Sequence, residues 1–206
     1  MTIMAEPPRA ERAARGSPVV ANGAVPRHLA IVLNSIATAQ QTAQLEPAIA
    51  AVRAMFAGCA DYHVAVLSII RPEADGGVFD AAVASAREAE PRANGVELNL
   101  VSPRNGRADL LASIKRLAAQ AKRGELASDS IDAASIENNL STRGLPPVDL
   151  LIATGGGATL SGALTWQSAY AELLFIESSW SAFTRADFDA ALADYAKRCR
   201  KFGGLA

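Results

Sequence analysis

Five short apolar runs, each followed by a stretch with helical spacing or a break, constrain this chain more than any other feature. They are HLAIVLN (28–34), HVAVLSII (63–70), VELNLVS (96–102), VDLLIAT (148–154) and ELLFIE (172–177). The first is nearly continuous and rich in β-branched residues, as a strand covered on both faces would be, and the second and fourth read as buried strands too; VELNLVS and ELLFIE read as the third and last strands. Between the first two, Leu45, Ile49, Val52, Met55 and Phe56 are spaced to share one helical face. Val78 to Arg87 is alanine-rich and helical in pattern. Asp109 to Arg123 predicts an amphipathic helix with Leu110, Ile114, Leu117 and Ala121 along one side, Lys122 and Arg123 in its last turn and Gly124 as its stop. A shorter helix over 129–140 leads to the break GLPP. Thr184 and Asp187 are spaced as a capping box, opening a helix whose stripe is Phe188, Ala191, Leu192, Tyr195, Cys199 and Phe202. Strands alternating with helices give an α/β domain on a mainly parallel sheet.

A chain of 206 residues fits one domain with a substantial core. Its net charge of -1 gives no general affinity for nucleic acid or acidic membranes. No apolar run reaches membrane-spanning length, and the opening segment lacks the apolar stretch of a secretory signal. Cys59 and Cys199 form no metal spacing and are too few for a disulfide framework, so a reduced, cytoplasmic protein is expected. Residues 1–27 mix Pro, Gly, Ala and Arg without periodicity and read as a disordered tail, with the domain occupying 28–206.

Parallel sheets bind ligands at the carboxyl ends of their strands. Two such ends stand out: Asn34-Ser35 after the first run, and Gly155-Gly156-Gly157 after the fourth, with Ser161 close behind. Three glycines let backbone N–H groups approach an anion, and a following helix would add its positive end. Glycine turns also serve steric ends alone. A dinucleotide reading uses the Gly155 and Gly157 spacing with Glu177 about twenty residues on, but Leu160 stands where a third glycine belongs.

The segment from Leu145 to Gly204 resembles the C-terminal signature of the cis-prenyltransferases, the undecaprenyl diphosphate synthase family. In that family the pattern runs roughly PDLLIRTSGE-x-R-x-SNFLLWQ-x-AYAEL-x-F, then a Trp, an F-T-x-x-D-F helix and R-R-x-GG. Trp166, Gln167, Ala169, Tyr170, Ala171, Glu172, Leu173, Phe175, Trp180, Phe183, Asp187, Phe188, Phe202, Gly203 and Gly204 match it. LNLVSPRNGRADLLASIKRLA (98–118) is similar to a second family stretch through Gly106, Arg107 and Asp109, and PRHLAIVLN (26–34) to its first strand. The resemblance covers nearly everything after the tail. It implies the undecaprenyl diphosphate synthase fold and prenyl transfer to isopentenyl diphosphate.

Several charges that the resemblance leads one to expect are missing. The family's first strand ends in an Asp that holds magnesium and the allylic diphosphate, and Asn34 stands there; its phosphate-binding Arg is Thr38. The two arginines of IRTSGExR are Ala153 and Thr159, and the Glu between them is Gly157. Ser161 survives, as does Glu172, which in the family helps complete the metal site. Arg71, in the shortened Ile69-Ile70-Arg71-Pro72, is a candidate replacement cation. Arg107 and Asp109 are expected to pair on their helix, Trp166, Gln167 and Tyr170 to pack or meet a partner, and His28 and His63 to be structural. Between Pro72 and the third strand the family carries an extra helix and strand that are shortened or missing here. Two diphosphates need a metal and several cations to neutralise them. The expectation is therefore a cis-prenyltransferase-like protein without the usual chain elongation, using Mg2+ only if active. It would act as a non-catalytic or partner subunit, as a homodimer or with an active cis-prenyltransferase, in the cytoplasm or peripherally at a membrane. Against the partner role, such subunits usually offer a C-terminal R-x-G, where this sequence reads FGGLA. The alternatives are a divergent enzyme acting on short prenyl diphosphates and a stand-alone ligand binder.

Overall fold

The structure, a computed structural model, describes residues 24–34, 44–72, 77–102, 105–157, 160, 162 and 164–199, with only the backbone described for 92, 94 and 105. Five strands form one sheet: β1 (His28–Val32), β2 (Val66–Ile70), β3 (Glu97–Val101), β4 (Leu150–Ala153) and β5 (Glu172–Phe175). Their order is β3-β2-β1-β4-β5, and every neighbouring pair is parallel. The mainly parallel sheet expected from sequence is thus wholly parallel among the described residues. β1, β2 and β4 are buried at every position, as continuous apolar runs require, whereas β5 alternates at the edge.

One face of the sheet presents Leu29, Ile31, Leu67, Ile69, Leu150 and Ile152 to α1 (Leu45–Tyr62), α2 (Val78–Ala89) and α5 (Arg185–Tyr195). The stripe read from sequence places Val52, Met55 and Phe56 in this core, joined by Cys59 and Tyr62. α1 meets α5 closely at Gly58, where an added Cβ would lie 2.5 Å from the Phe188 ring. α5 opens with the expected reciprocal cap: Asp187 N–H donates to Thr184 Oγ1, and Thr184 N–H donates to Asp187. The helix ends at Tyr195, one turn before Cys199, which is exposed; Phe202 lies outside the described residues.

The opposite face carries Ala30, Val32, Ile70, Val101, Leu151 and Ala153, covered by Val148 and Leu164. α3 (Asn105–Lys122) starts a turn earlier than its sequence pattern suggested. Of the stripe read from sequence, Leu110 and Ala121 are half-buried and Ile114 is turned outward. Leu117 is buried, but Ile114 is 48% and Leu111 52% exposed. The helix docks through Ser113, whose hydroxyl donates to the Ile136 carbonyl at 3.1 Å, next to α4 (Ala133–Glu137). The helix expected over 129–140 is broken into a short 3-10 turn at Ser128–Ser130 and this single α-helical turn.

A buried polar chain ties three strands together. His28 Nδ1 donates to the Pro146 carbonyl at 2.7 Å, and Ser68 Oγ lies 2.8 Å from Nε2 while accepting from Asn99 Nδ2 at 3.0 Å. His28 and Ser68 are fully buried. Burial pushes the His28 imidazole below its usual pKa, opposed by its bond to the Pro146 carbonyl and by the Asp149 and Glu97 charges. The backbone is already fixed just ahead of β1, because the N–H groups of Arg27 and His28 both donate to the Asp149 carboxylate.

Candidate functional site

The chain runs outward through β1, β2 and β3, then returns to β4 on the other side of β1. That reversal puts the crevice of a parallel sheet at the carboxyl ends of β1 and β4. Asn34 and Gly155–Gly157 sit there together, as the two strand ends singled out in the sequence require.

The contact is close. Thr154 is fully buried; its Oγ1 accepts from Asn34 N–H at 3.0 Å and lies within bonding distance of the Val32 and Asn34 carbonyls. Trp180 N–H donates to the Asn34 carbonyl at 3.2 Å. Gly155 has a φ of +90°, and a Cβ there would lie 2.9 Å from the Asn34 Cβ, so both its conformation and the approach of Asn34 require glycine. Gly155 N–H donates to the Ser178 carbonyl at 2.7 Å and Gly156 N–H to the Ile176 carbonyl at 3.0 Å. Two of the three glycine N–H groups therefore knit the turn to the strand-end after β5 instead of facing a ligand.

The helix expected after the glycines is absent from the described residues that follow them. Residues 164–170 are turns, and among the described residues no α-helix intervenes between β4 and β5. Positive φ at Gly155, Gly156, Gly162 and Leu164 prevents a regular right-handed helix here. This removes the helix dipole from the anion reading and the strand–turn–helix unit from the dinucleotide reading, although Glu177 does lie beside Gly156.

Arg71 follows β2 at the same carboxyl edge. Its guanidinium pairs with Asp80 and stacks 5.5 Å from the Phe79 ring centroid, so a carboxylate already neutralises the candidate cation. Glu172 lies elsewhere. It opens β5 in register with Leu150 and, through β4, with Leu29, so it belongs to the amino edge of the sheet. Along the strands that is about 16 Å from Asn34, which is too far for the two to share an ion within one chain. Its carboxylate instead meets Arg198 at 3.2 Å, an arginine also held by Asp194 and the Leu173 carbonyl. Among the described residues no cluster of three potential metal-ligating side chains forms. The described residues alone do not assemble the donors that magnesium would need. Ser35 and Ser161 fall outside the described residues, as do Thr38 and Thr159.

The remaining candidates have structural partners. Asp109 accepts from the N–H and hydroxyl of Ser141 rather than serving an Arg107 pair, and so ties the start of α3 to the chain after α4. Trp166 Nε1 donates to Glu137 at 3.2 Å, and Gln167 Nε2 to Thr142 at 2.6 Å. Tyr170 is 65% exposed. Neither the Thr154 anchor nor the capture of Glu172 by Arg198 has a sequence signature, because both bonds join residues whose proximity only the fold creates.

Comparison with known proteins agrees with this architecture. The model of the undecaprenyl diphosphate synthase family matches residues 76–203. An isoprenyl transferase of Zymomonas mobilis is 47% identical over 118 residues, 56% of this chain and 48% of that protein. For an isoprenyl transferase of Rhodopirellula baltica the figures are 42% over 123 residues, 60% and 50%. The farnesyl-diphosphate-specific ditrans,polycis-undecaprenyl-diphosphate synthase of Escherichia coli K12 is 40% identical over 110 residues, 53% of this chain and 44% of that enzyme. The chain thus spans about half the length of the curated relatives it matches. In fold, it is similar to the crystal structure of lavandulyl diphosphate synthase from Lavandula x intermedia in complex with dimethylallyl diphosphate. The TM-score is 0.68 at 20% identity, covering 87% of this chain and 98% of that one.

Proposed function

Since the chain belongs to the undecaprenyl diphosphate synthase family, we propose that it is a non-catalytic member, a cytoplasmic partner subunit for a chain that retains the prenyl transfer machinery. The single observation that carries this reading is the chemistry of the crevice. Asn34, Ala153 and Gly157 line the carboxyl edge, the nearby Arg71 is already paired, and Glu172 is engaged at the opposite edge. The described residues of the crevice are too short of fixed charge to neutralise two diphosphates and their metal, which is where transfer chemistry draws most of its stabilisation. The partner role draws support from apolar side chains left in water. Leu111 and Ile114 on α3, and Leu173 and Phe175 on β5, are between 36% and 52% exposed. No helix among the described residues is long and apolar enough to cross a membrane.

A second reading is an active enzyme for short prenyl diphosphates, which would use Mg2+. What favours it is the likeness in fold to an enzyme solved with dimethylallyl diphosphate. It requires cations from segments outside the described residues or from a partner chain. Incubating the purified chain with magnesium, isopentenyl diphosphate and a short allylic diphosphate decides between them. The partner reading expects no condensation product from this chain alone, and association with an intact family member in a pull-down. Robust turnover by the isolated chain refutes it.

A further inference from the structure

Arg71 stands at the lip of the crevice on a fixed backbone. Leu33 N–H bonds the Ile70 carbonyl at 3.1 Å and Arg71 N–H bonds the Val101 carbonyl at 2.9 Å, so the chain here is tied in on both sides. The register that pairs Val32 with Ile70 sets Arg71 beside Leu33, one residue short of Asn34. Its side chain has two holds, and they differ in kind. The guanidinium pairs with Asp80, in the first turn of α2, and lies 5.5 Å from the Phe79 ring centroid. Phe79 is buried and meets Trp180 edge-on at 6.2 Å, and Trp180 N–H donates to the Asn34 carbonyl. The ring is thus part of the packed core behind the crevice. The ion pair lies in water: the Arg71 side chain is 36% and the Asp80 side chain 58% exposed.

We propose that Asp80 is a built-in competitor, whose carboxylate occupies Arg71 in place of a phosphate-class anion and raises the concentration such an anion needs to enter the crevice. Among the described residues, Asn34, Thr154 and Gly155–Gly157 bring no positive charge to this edge, and Glu177 beside Gly156 adds a negative one. An exposed ion pair is screened by water and favours its closed form by a factor of about five at most. A carboxylate held so loosely can be displaced. Phe79 keeps the guanidinium in place when Asp80 lets go, through the attraction of a cation for a ring face. A diphosphate carries more charge than one carboxylate and takes paired N–H bonds from a guanidinium, so it can take over the contact. Asp80 itself stays close, because the positive end of α2 favours an acid in its first turn. The contact is therefore a threshold and not a permanent block. It rests on the reading of the crevice as poor in fixed charge, and it operates whether or not the chain transfers prenyl groups.

The test is calorimetric titration of inorganic pyrophosphate, without metal, into the full chain at low salt. Asp80→Asn keeps the size of this exposed side chain and removes its charge. It should bind pyrophosphate about tenfold more tightly than the native chain, up to about fivefold from the lost ion pair and the rest from the lost repulsion of the incoming anion. Raising the salt to about 0.5 M should shrink the gain, because exposed charges are screened. Adding Arg71→Gln to Asp80→Asn should abolish it. Equal affinity of the native chain and Asp80→Asn, no binding by Asp80→Asn, or a gain that survives Arg71→Gln overturns the proposal. Turnover by the isolated native chain would refute the partner reading and leave this difference in affinity standing.

Discussion

Lowering the pH from 7.5 to 5.5 should destabilise this protein through one residue, His28. Its Nδ1 must carry the proton, because the Pro146 carbonyl 2.7 Å away can only accept. Nε2 then takes the Ser68 hydroxyl proton at 2.8 Å, and Ser68 in turn accepts from Asn99. A second proton on the ring would place a charge in a site with no exposed surface and force the Ser68 hydroxyl proton to find another acceptor. Burial accordingly holds the folded-state pKa below 6.5, the value of an unconstrained histidine. With the folded pKa depressed, the unfolded chain binds the extra proton first. The histidine's contribution is therefore fully present above about pH 6.5 and declines as pH falls toward the folded pKa. Because the unfolded ring gains its proton across this range while the folded ring resists it, the loss between pH 7.5 and 5.5 is on the order of 1 kcal/mol. Urea unfolding of the native chain and of His28→Gln at both pH values measures it. Carboxylates and the exposed His63 are common to both proteins, so the difference between their pH slopes isolates His28. The native chain should lose on the order of 1 kcal/mol more than the variant. Parallel slopes would refute the buried neutral imidazole and the hydrogen-bond chain drawn through it.

Other measurements probe the packing that places the crevice. Gly58→Ala sets a methyl 2.5 Å from the Phe188 ring and should cost about 1–3 kcal/mol in chemical denaturation, partly recovered by adding Phe188→Leu. Thr154→Val keeps the shape but removes the hydroxyl that receives Asn34 N–H; a loss of about 1–2 kcal/mol is expected, and no loss would show that the two strand ends are not joined there. Burial pushes the Cys59 thiol far above its usual range, so a thiol reagent should titrate Cys199 promptly and Cys59 only on unfolding.

β1, β2 and β4 were readable because each is a short, nearly continuous apolar run, as a strand covered on both faces requires, and β3 and β5 because they are short apolar runs set between helical stretches and breaks. The α5 cap was equally legible, since Thr184 and Asp187 are local partners whose spacing alone decides the bond. What failed needed tertiary knowledge. Ile114 has helical spacing with Leu117, yet the docking of Ser113 on the α4 carbonyls turns it outward. The glycine turn looked like the entry to a helix, but Leu164 takes a φ of +52° while staying buried, a conformation no propensity anticipates. Glu172 matched the family pattern at its own position, whereas its distance from Asn34 and its capture by Arg198 follow only from strand order and register.

The first strand made waits longest for its second neighbour. β1 occupies the middle of the sheet, with β2 available soon after it but β4 more than a hundred residues away; the Thr154–Val32 bond spans 122 positions. At ribosomal speeds of about 5–20 residues per second, that gap lasts roughly 6–24 s. During synthesis the nascent half-sheet must present the apolar flank of β1 unpaired for that interval. The growing polypeptide is then most exposed to misassociation, and a chaperone holding that flank would raise the yield of native protein more than one acting after release.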